Sequence, residues 1–482
     1  MNVKNFLMGF AEKPWLLIVL VVLAAIMVLV AVVRGRRNRK QAVIPGLIAL
    51  AVVAFVTLVL IKNPQVLAGD KEAFDKIAGK AIAIAPPSGD DWPQWRGIHR
   101  DGIGKAPGMP TDWKKTPPKQ IWTSPCGGGF GSLAVTGGRV YLQDFKDGQE
   151  RVLCLNAETG DEKWVHVDPV SYAGFQRGYA SGPRATPTIH DGRIYTVGAT
   201  GIFLCLEAPG DQPRVAWQHD LMKEFDAEMP IWGFASSPLI EGDLVIVQAG
   251  GRRGTVVAFN RVSGEKVWAA LDESTGYSSA MAATLAGERQ IVAFTASRLV
   301  GLRPSDGSEL WSFSWPTRFD ANIATPIIAG DFIFISSGYN AGCALLKITK
   351  PGDQFKAEEI FVKRNKLMRT HHMTCVLKDG HIYGFDDGRA ELTCVDLATA
   401  KATWESNKVG KGCLILAEGH LLVLSQDGTL SLVEATPEDF RLKGSIKGVL
   451  SGETCWALPA LANGKLFLRD QEKVVAFGLT PD

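Results

Sequence analysis

A short strand, a tight polar turn and a tryptophan recur along most of this 482-residue chain, and that repeat limits what it can fold into. The clearest copies are LCLNAETGDEKW (153–164), VVAFNRVSGEKVW (256–268), LVGLRPSDGSELW (299–311) and LTCVDLATAKATW (392–404). Altered copies begin at Phe203, Ala344, Leu430 and Val474. Upstream of most copies sits a second phrase, as in ATPTIHDGRIYTV, SSPLIEGDLVIVQ, ATPIIAGDFIFIS, MTCVLKDGHIYGF and LPALANGKLFLRD. A period of about 38–53 residues, with four strands to a unit and no long helical rhythm, is the pattern of a β-propeller. One such unit cannot bury its apolar faces alone, so neighbouring units must stack. Counting copies gives an all-β fold, an eight-bladed propeller.

The repeat phrase reads as architecture. Asn156 to Gly160 form a tight turn, in which Asn or Asp bonds its own backbone and Gly accepts positive φ. The next strand delivers Trp164, whose ring is expected to fill the wedge between blades. Cys154, Cys205 and Cys394 occupy a small-residue position that is Ala258, Gly301 or Ala476 in other copies, so they read as core fillers. The eight cysteines include no CxxC, no CxxCH and no adjacent pair, which excludes a zinc ribbon and a c-type haem site. A disulfide between Cys413 and Cys455 remains open at this level. The last copy ends at Leu479 without an outer strand. PKQIWTSP (118–125) has the rhythm of one and no inner strands before it, so it is expected to complete the eighth blade and remove two open edges.

The segment ahead of the repeats differs. Residues 15–33 and 42–61 are uncharged apolar runs long enough to cross a bilayer core of about 30 Å, and RGRRNRK lies between them. The reading is a transmembrane hairpin over 1–61 with a cytoplasmic loop, a linker over 62–91, a WPQWRG cap segment over 92–117 and the propeller over 118–482. This predicts a multi-pass inner-membrane protein with its propeller on the periplasmic side. Residues 1–91 carry 11 Lys/Arg against 6 Asp/Glu, leaving 41 against 44 beyond. A nearly neutral body argues against nucleic acid as a partner.

The repeat phrases, together with DWPQWRGIHRDGIG (91–104) and GKGCLILAEGHLLVLSQDGTLSLVEATPE, resemble the pyrroloquinoline quinone (PQQ) repeat propellers, in their membrane-anchored branch. That quinoprotein-like family holds alcohol dehydrogenases and also non-enzymatic members that serve outer-membrane assembly. For the enzymes the resemblance implies PQQ, calcium held by Glu, Asn and Asp, a catalytic Asp and an adjacent Cys pair. The Cys pair is missing here.

In a propeller the loops joining one blade's outer strand to the next blade's inner strand open onto one end of the channel. Here they carry Arg177, Tyr179, Arg184, Trp232, Phe234, Tyr277, Asp320, Asn322, His371, His372, Lys411 and Trp456. Arg177, Arg184 and Lys411, with Trp232 and Trp456 as plates, are the candidates for holding a planar polycarboxylated cofactor. Asp320 and Asn322 are the candidate calcium ligands, and Asp320 the candidate base. His371 and His372, as neighbours on a strand, would point to opposite faces. The reading favours a binding or assembly scaffold with protein partners at the rim. A PQQ-dependent dehydrogenase is the alternative, followed by a polysaccharide- or peptide-binding sensor.

Overall fold

The computed structural model describes residues 90–480 apart from 171, 173–181, 209–211 and 453. Its strands form eight sheets, each built on four antiparallel strands, which are the blades of a propeller. The innermost strands of blades 1 to 8 are Ala134–Thr136, Thr188–His190, Leu239–Glu241, Met281–Leu285, Ile327–Ala329, Val376–Lys378, Gly412–Ala417 and Ala460–Ala462. In blades 1 to 7 the chain runs outward through three more strands. Blade 8 takes its outer strand from the start of the propeller. Lys119–Pro125 pairs antiparallel with Lys473–Gly478, setting Trp122 opposite Ala476.

The hairpin and most of the linker lie outside the described residues. Among the described residues no helix is long and apolar enough to cross a membrane. The one α-helix there, Leu221–Phe225, has 5 residues, which at about 1.5 Å per residue is a fraction of a bilayer core of about 30 Å. The multi-pass inner-membrane location expected from the sequence is therefore corrected: the described chain is a propeller without a membrane-spanning helix.

Two devices join the blades, and both explain the repeated phrases. The Ser or Thr before an inner strand accepts a backbone N–H from the preceding blade. Thr186 takes the N–H of Ser132, Ser237 that of Thr186, Ser279 that of Ser237, and Thr374 that of Thr325, each at 2.9 Å. These backbone groups sit in a dry interior, where an unpaired N–H is costly. The second device is the tryptophan. Nε1 of Trp122, Trp268 and Trp404 donates to the carbonyls of Ala157, Pro304 and Thr436 in the following blade. Trp122 and Trp268 lie flat against the turn glycines Gly160 and Gly307, where an added Cβ would come within 2.6 Å of the ring. Those glycines hold φ of 77° and 73° as well, so turn geometry and ring clearance both demand them. Trp311 departs from the pattern and donates to Gln290 of its own blade. Cys154, Cys205 and Cys394 are wholly buried, and all eight cysteines are free thiols, including Cys413 and Cys455.

Residues 91–104 plug the channel. The segment enters beside Asn463 and Val135, whose amides bond the carbonyls of Asp90 and Trp92. Its tip reaches the beginnings of inner strands. There Trp95 Nε1 donates to Thr325 Oγ1, Arg96 to the carbonyls of Thr374 and Cys375, and Arg100 to those of Ser237 and Pro238. It leaves as Ile103–Gly104, paired parallel with Leu416–Ala417. With Pro93 accepting from Ile189, seven of the eight blades bond to it. Burial pushes Arg96 down to about 10 and Arg100, beside it, down to about 9. Both stay charged at neutral pH, solvated by carbonyls in place of water.

Candidate binding cup at the channel mouth

The plug tip converts the channel into a blind cup of about 260 Å³. Trp95, Ser237, Ser279 and Thr374 line its inner end, because the loops before the inner strands converge there. Its walls are aromatic. One side is Trp232, tilted against Tyr277 at 5.4 Å and parallel to Tyr339 at 6.0 Å. Tyr339 meets His371 edge-on at 4.4 Å. From there a stack runs His371, His372, Trp456 and Phe130, with centroids 3.7, 4.1 and 5.1 Å apart. The Arg184 guanidinium lies 5.4 Å from the Phe130 centroid. Arg184 is the one permanently charged side chain among the described residues that line the cup.

The electrostatics follow from burial and pairing. Desolvation lowers the Arg184 pKa, with Tyr172 and Glu150 opposing the shift. Burial holds His372 well below its usual pKa, reinforced by the charges of His371 and Lys411, so it is neutral at pH 7. Burial lifts Tyr277 to about 12 and keeps it protonated. Burial would also raise the Asp387 carboxyl, yet bonds from His371 and Lys411 hold it well below the carboxylate range. Lys411 forms an ion pair with Asp387, and His371 Nδ1 stands 3.3 Å from the same carboxylate.

The structure brings together some of the sequence candidates. Arg184, Trp232, Tyr277, His371, His372 and Trp456 share the cup. Both histidines face it because they sit in a bend, where strand alternation does not apply. Lys411 is committed to Asp387 behind His371, and Phe234 is buried in the core of blades 2 and 3. Asn322 is wholly buried and structural. Its Nδ2 donates to the carbonyls of Thr295, Ala296 and Trp315, and its Oδ1 accepts from Ser337. Asp320 stands outside the cup lining on exposed backbone at φ 54°, its carboxyl raised by partial burial. Arg177 and Tyr179 lie outside the described residues. Sequence reasoning missed Trp95, Phe130, Tyr339 and the three hydroxyls. The signal for the hydroxyls was present in the repeated small-Ser/Thr phrase.

The residues do not fit a calcium-held quinone. No Asp or Glu occurs among the described residues lining the cup, and Asn322 has spent its amide on backbone. No group of three or more His, Cys, Asp or Glu among the described residues is placed to hold a metal ion.

Fold and site together define an eight-bladed propeller with a plugged channel and an aromatic cup. The chain belongs to the PQQ-repeat family described as outer membrane protein assembly factor BamB, whose model matches residues 109–181 and 170–406. Among solved structures it is similar to BamB from Moraxella catarrhalis, at 14% identity and a TM-score of 0.55 over 75% of this chain and 97% of the other. It is also similar to the quinohemoprotein alcohol dehydrogenase from Comamonas testosteroni, at 12% identity and 0.58 over 85% and 83%. A europium-containing methanol dehydrogenase gives 12% and 0.56 over 84% and 100%. Identity this low establishes the shared fold alone. No curated protein matches the sequence.

Proposed function

We propose that the protein is a non-catalytic binding scaffold that receives its guest in the channel-mouth cup. The observation that carries this is the chemistry of the described residues lining the cup: aromatic rings, imidazoles, hydroxyls and one guanidinium, with no carboxylate among them. Oxidising an alcohol needs a base within about 3 Å of the hydroxyl, and the described residues lining the cup offer no carboxylate for that task. The assembly-factor description of the family supports the same direction. A partner would meet the rim beside the exposed ring of Phe319, which packs edge-on against Trp232 at 6.0 Å. The test is calorimetric titration with PQQ and calcium, followed by an alcohol-dependent dye-reduction assay. Neither binding nor turnover is expected. Stoichiometric quinone uptake with turnover would overturn the scaffold reading.

A further inference from the structure

The charges around the cup are answered within the protein. Arg184 donates to the Gly182 carbonyl and is drawn by the carboxylate of Glu150. His372 is neutral, and Tyr277 keeps its proton. The hydroxyls at the inner end are not balanced in the same way. Ser237, Ser279 and Thr374 are each more than nine-tenths buried, and each oxygen accepts an N–H from the preceding blade. Their own O–H protons find no acceptor among the described residues. Ser132 and Ser278 differ, since their hydroxyls donate to the carbonyls of Leu458 and Ala324. Water serves the three cup hydroxyls in the free protein, and a guest that displaces it must bring acceptors of its own.

We infer that the cup receives a proline-bearing loop tip or chain end of a partner protein. This deepens the scaffold reading and rests on it, because the cup is the same site. A prolyl residue presents a carbonyl acceptor and no N–H, so it can satisfy the floor hydroxyls without burying a donor. Its ring packs on aromatic faces, as Pro-rich segments do in aromatic-lined grooves. Such faces are in place. Trp232 and Tyr339 make an interplanar angle of 2° at 6.0 Å, and Trp456 stacks on His372 at 17°. A prolyl segment is also uncharged, and a charged guest would leave water for a site whose charges are already matched. A sugar would bring O–H donors to a floor that already has them in excess. An ordinary peptide would bring an N–H at every residue, each needing an acceptor once it leaves water. The floor set by Trp95 bars a segment from running through, so the chain enters as an end or a bend, and proline favours bends. The volume of about 260 Å³ falls below the roughly 300–1,000 Å³ of drug-sized pockets, so about two prolyl residues enter.

Calorimetry on the purified chain with uncharged, capped tripeptides tests this. The probes are the N-acetyl dimethylamides of tri-proline, tri-(N-methylalanine) and tri-alanine. Tri-proline is expected to bind about tenfold or more tighter than tri-alanine, a difference of about 1.4 kcal/mol. Tri-(N-methylalanine), which lacks N–H groups as proline does but has no ring, is expected to fall between them. Tri-proline affinity is expected to hold between about 0.01 M and about 0.1 M salt, although the screening length falls there from about 30 Å to about 10 Å. Trp232→Leu is expected to bring tri-proline down to the level of tri-(N-methylalanine), because the ring loses its platform. Near-ultraviolet circular dichroism of the variant confirms folding. The inference is overturned by equal binding of tri-proline and tri-alanine, by tri-(N-methylalanine) binding no tighter than tri-alanine, or by no binding of any probe. A steep loss of tri-proline affinity with salt, or a ring preference that survives Trp232→Leu, overturns it too. Only quinone binding with turnover overturns the scaffold reading, so the two failures are distinct.

Discussion

Blade 4 contains a built-in control for the tryptophan docking. Gly287 and Gly307 both hold left-handed backbone, at φ 83° and 73°. A Cβ added at Gly287 would meet nothing within 4 Å, whereas one at Gly307 would lie 2.6 Å from Cε3 of Trp268. Alanine at either position takes the left-handed cost of about 1–2 kcal/mol. At Gly307 the indole must also move, and overpacking of this kind costs about 1–3 kcal/mol more. If the ring withdraws far enough to break the 2.8 Å bond from Trp268 Nε1 to Pro304, about 1 kcal/mol is added. Gly307→Ala is thus expected to destabilise by about 1–3 kcal/mol beyond Gly287→Ala. Urea unfolding followed by intrinsic fluorescence measures the difference between the two variants. Replacing Trp268 by Leu should shrink the extra cost, because the obstacle is then gone. Equal losses for the two glycine variants, or an extra cost indifferent to Trp268, would refute the docking argument.

Asn322→Ala should cost about 2–4 kcal/mol, because it strips hydrogen bonds from three buried carbonyls and the Ser337 hydroxyl. The melting temperature should fall equally with calcium or with chelator, and a calcium-dependent change would restore Asn322 as a ligand. Arg96→Ala removes buried bonds to the carbonyls of Arg100, Asp101, Thr374 and Cys375 and should loosen the plug. Limited proteolysis should then cut within 91–117 where the wild type resists, and an unchanged digestion pattern would count against the plug as a clamped element. Asp387 contributes stability that is full above its unfolded pKa of about 4 and lost as pH falls toward its depressed folded value. Lys411→Met should therefore lower stability at pH 7 and flatten the decline below pH 4; parallel pH profiles for variant and wild type would contradict this.

The sequence carried the propeller because its blades repeat the same physical problem. Each strand-turn-strand phrase must bury one apolar face and dock one ring, so the residues doing so recur at readable intervals. Arg184, Trp232 and Trp456 were accessible for a related reason: loops between blades have one place to go, the channel mouth. Asn322 and Lys411 misled because residue type announces donor chemistry without saying which partner consumes it. Asn322 spends its amide on backbone carbonyls, and Lys411 spends its charge on Asp387, a hairpin residue that looked like turn punctuation. Trp95 was seen as part of a cap, but its place as the cup floor depends on a segment outside the repeat, and no period predicts how far such a segment penetrates.

The joint between Lys119–Pro125 and Lys473–Gly478 sets a timetable for the nascent chain. Trp122 leaves the ribosome long before Ala476, its partner across the sheet. At about 5–20 residues per second, the wait is on the order of 20–70 s. Throughout that interval the first strand has no mate, and its neighbour on the other side, blade 1, stands with a bare flank. The plug faces the same delay, since residues 91–104 are made before the walls they bond to. An unclosed ring of seven blades is thus an obligatory stage of biosynthesis, and the interval in which a chaperone has most to hold.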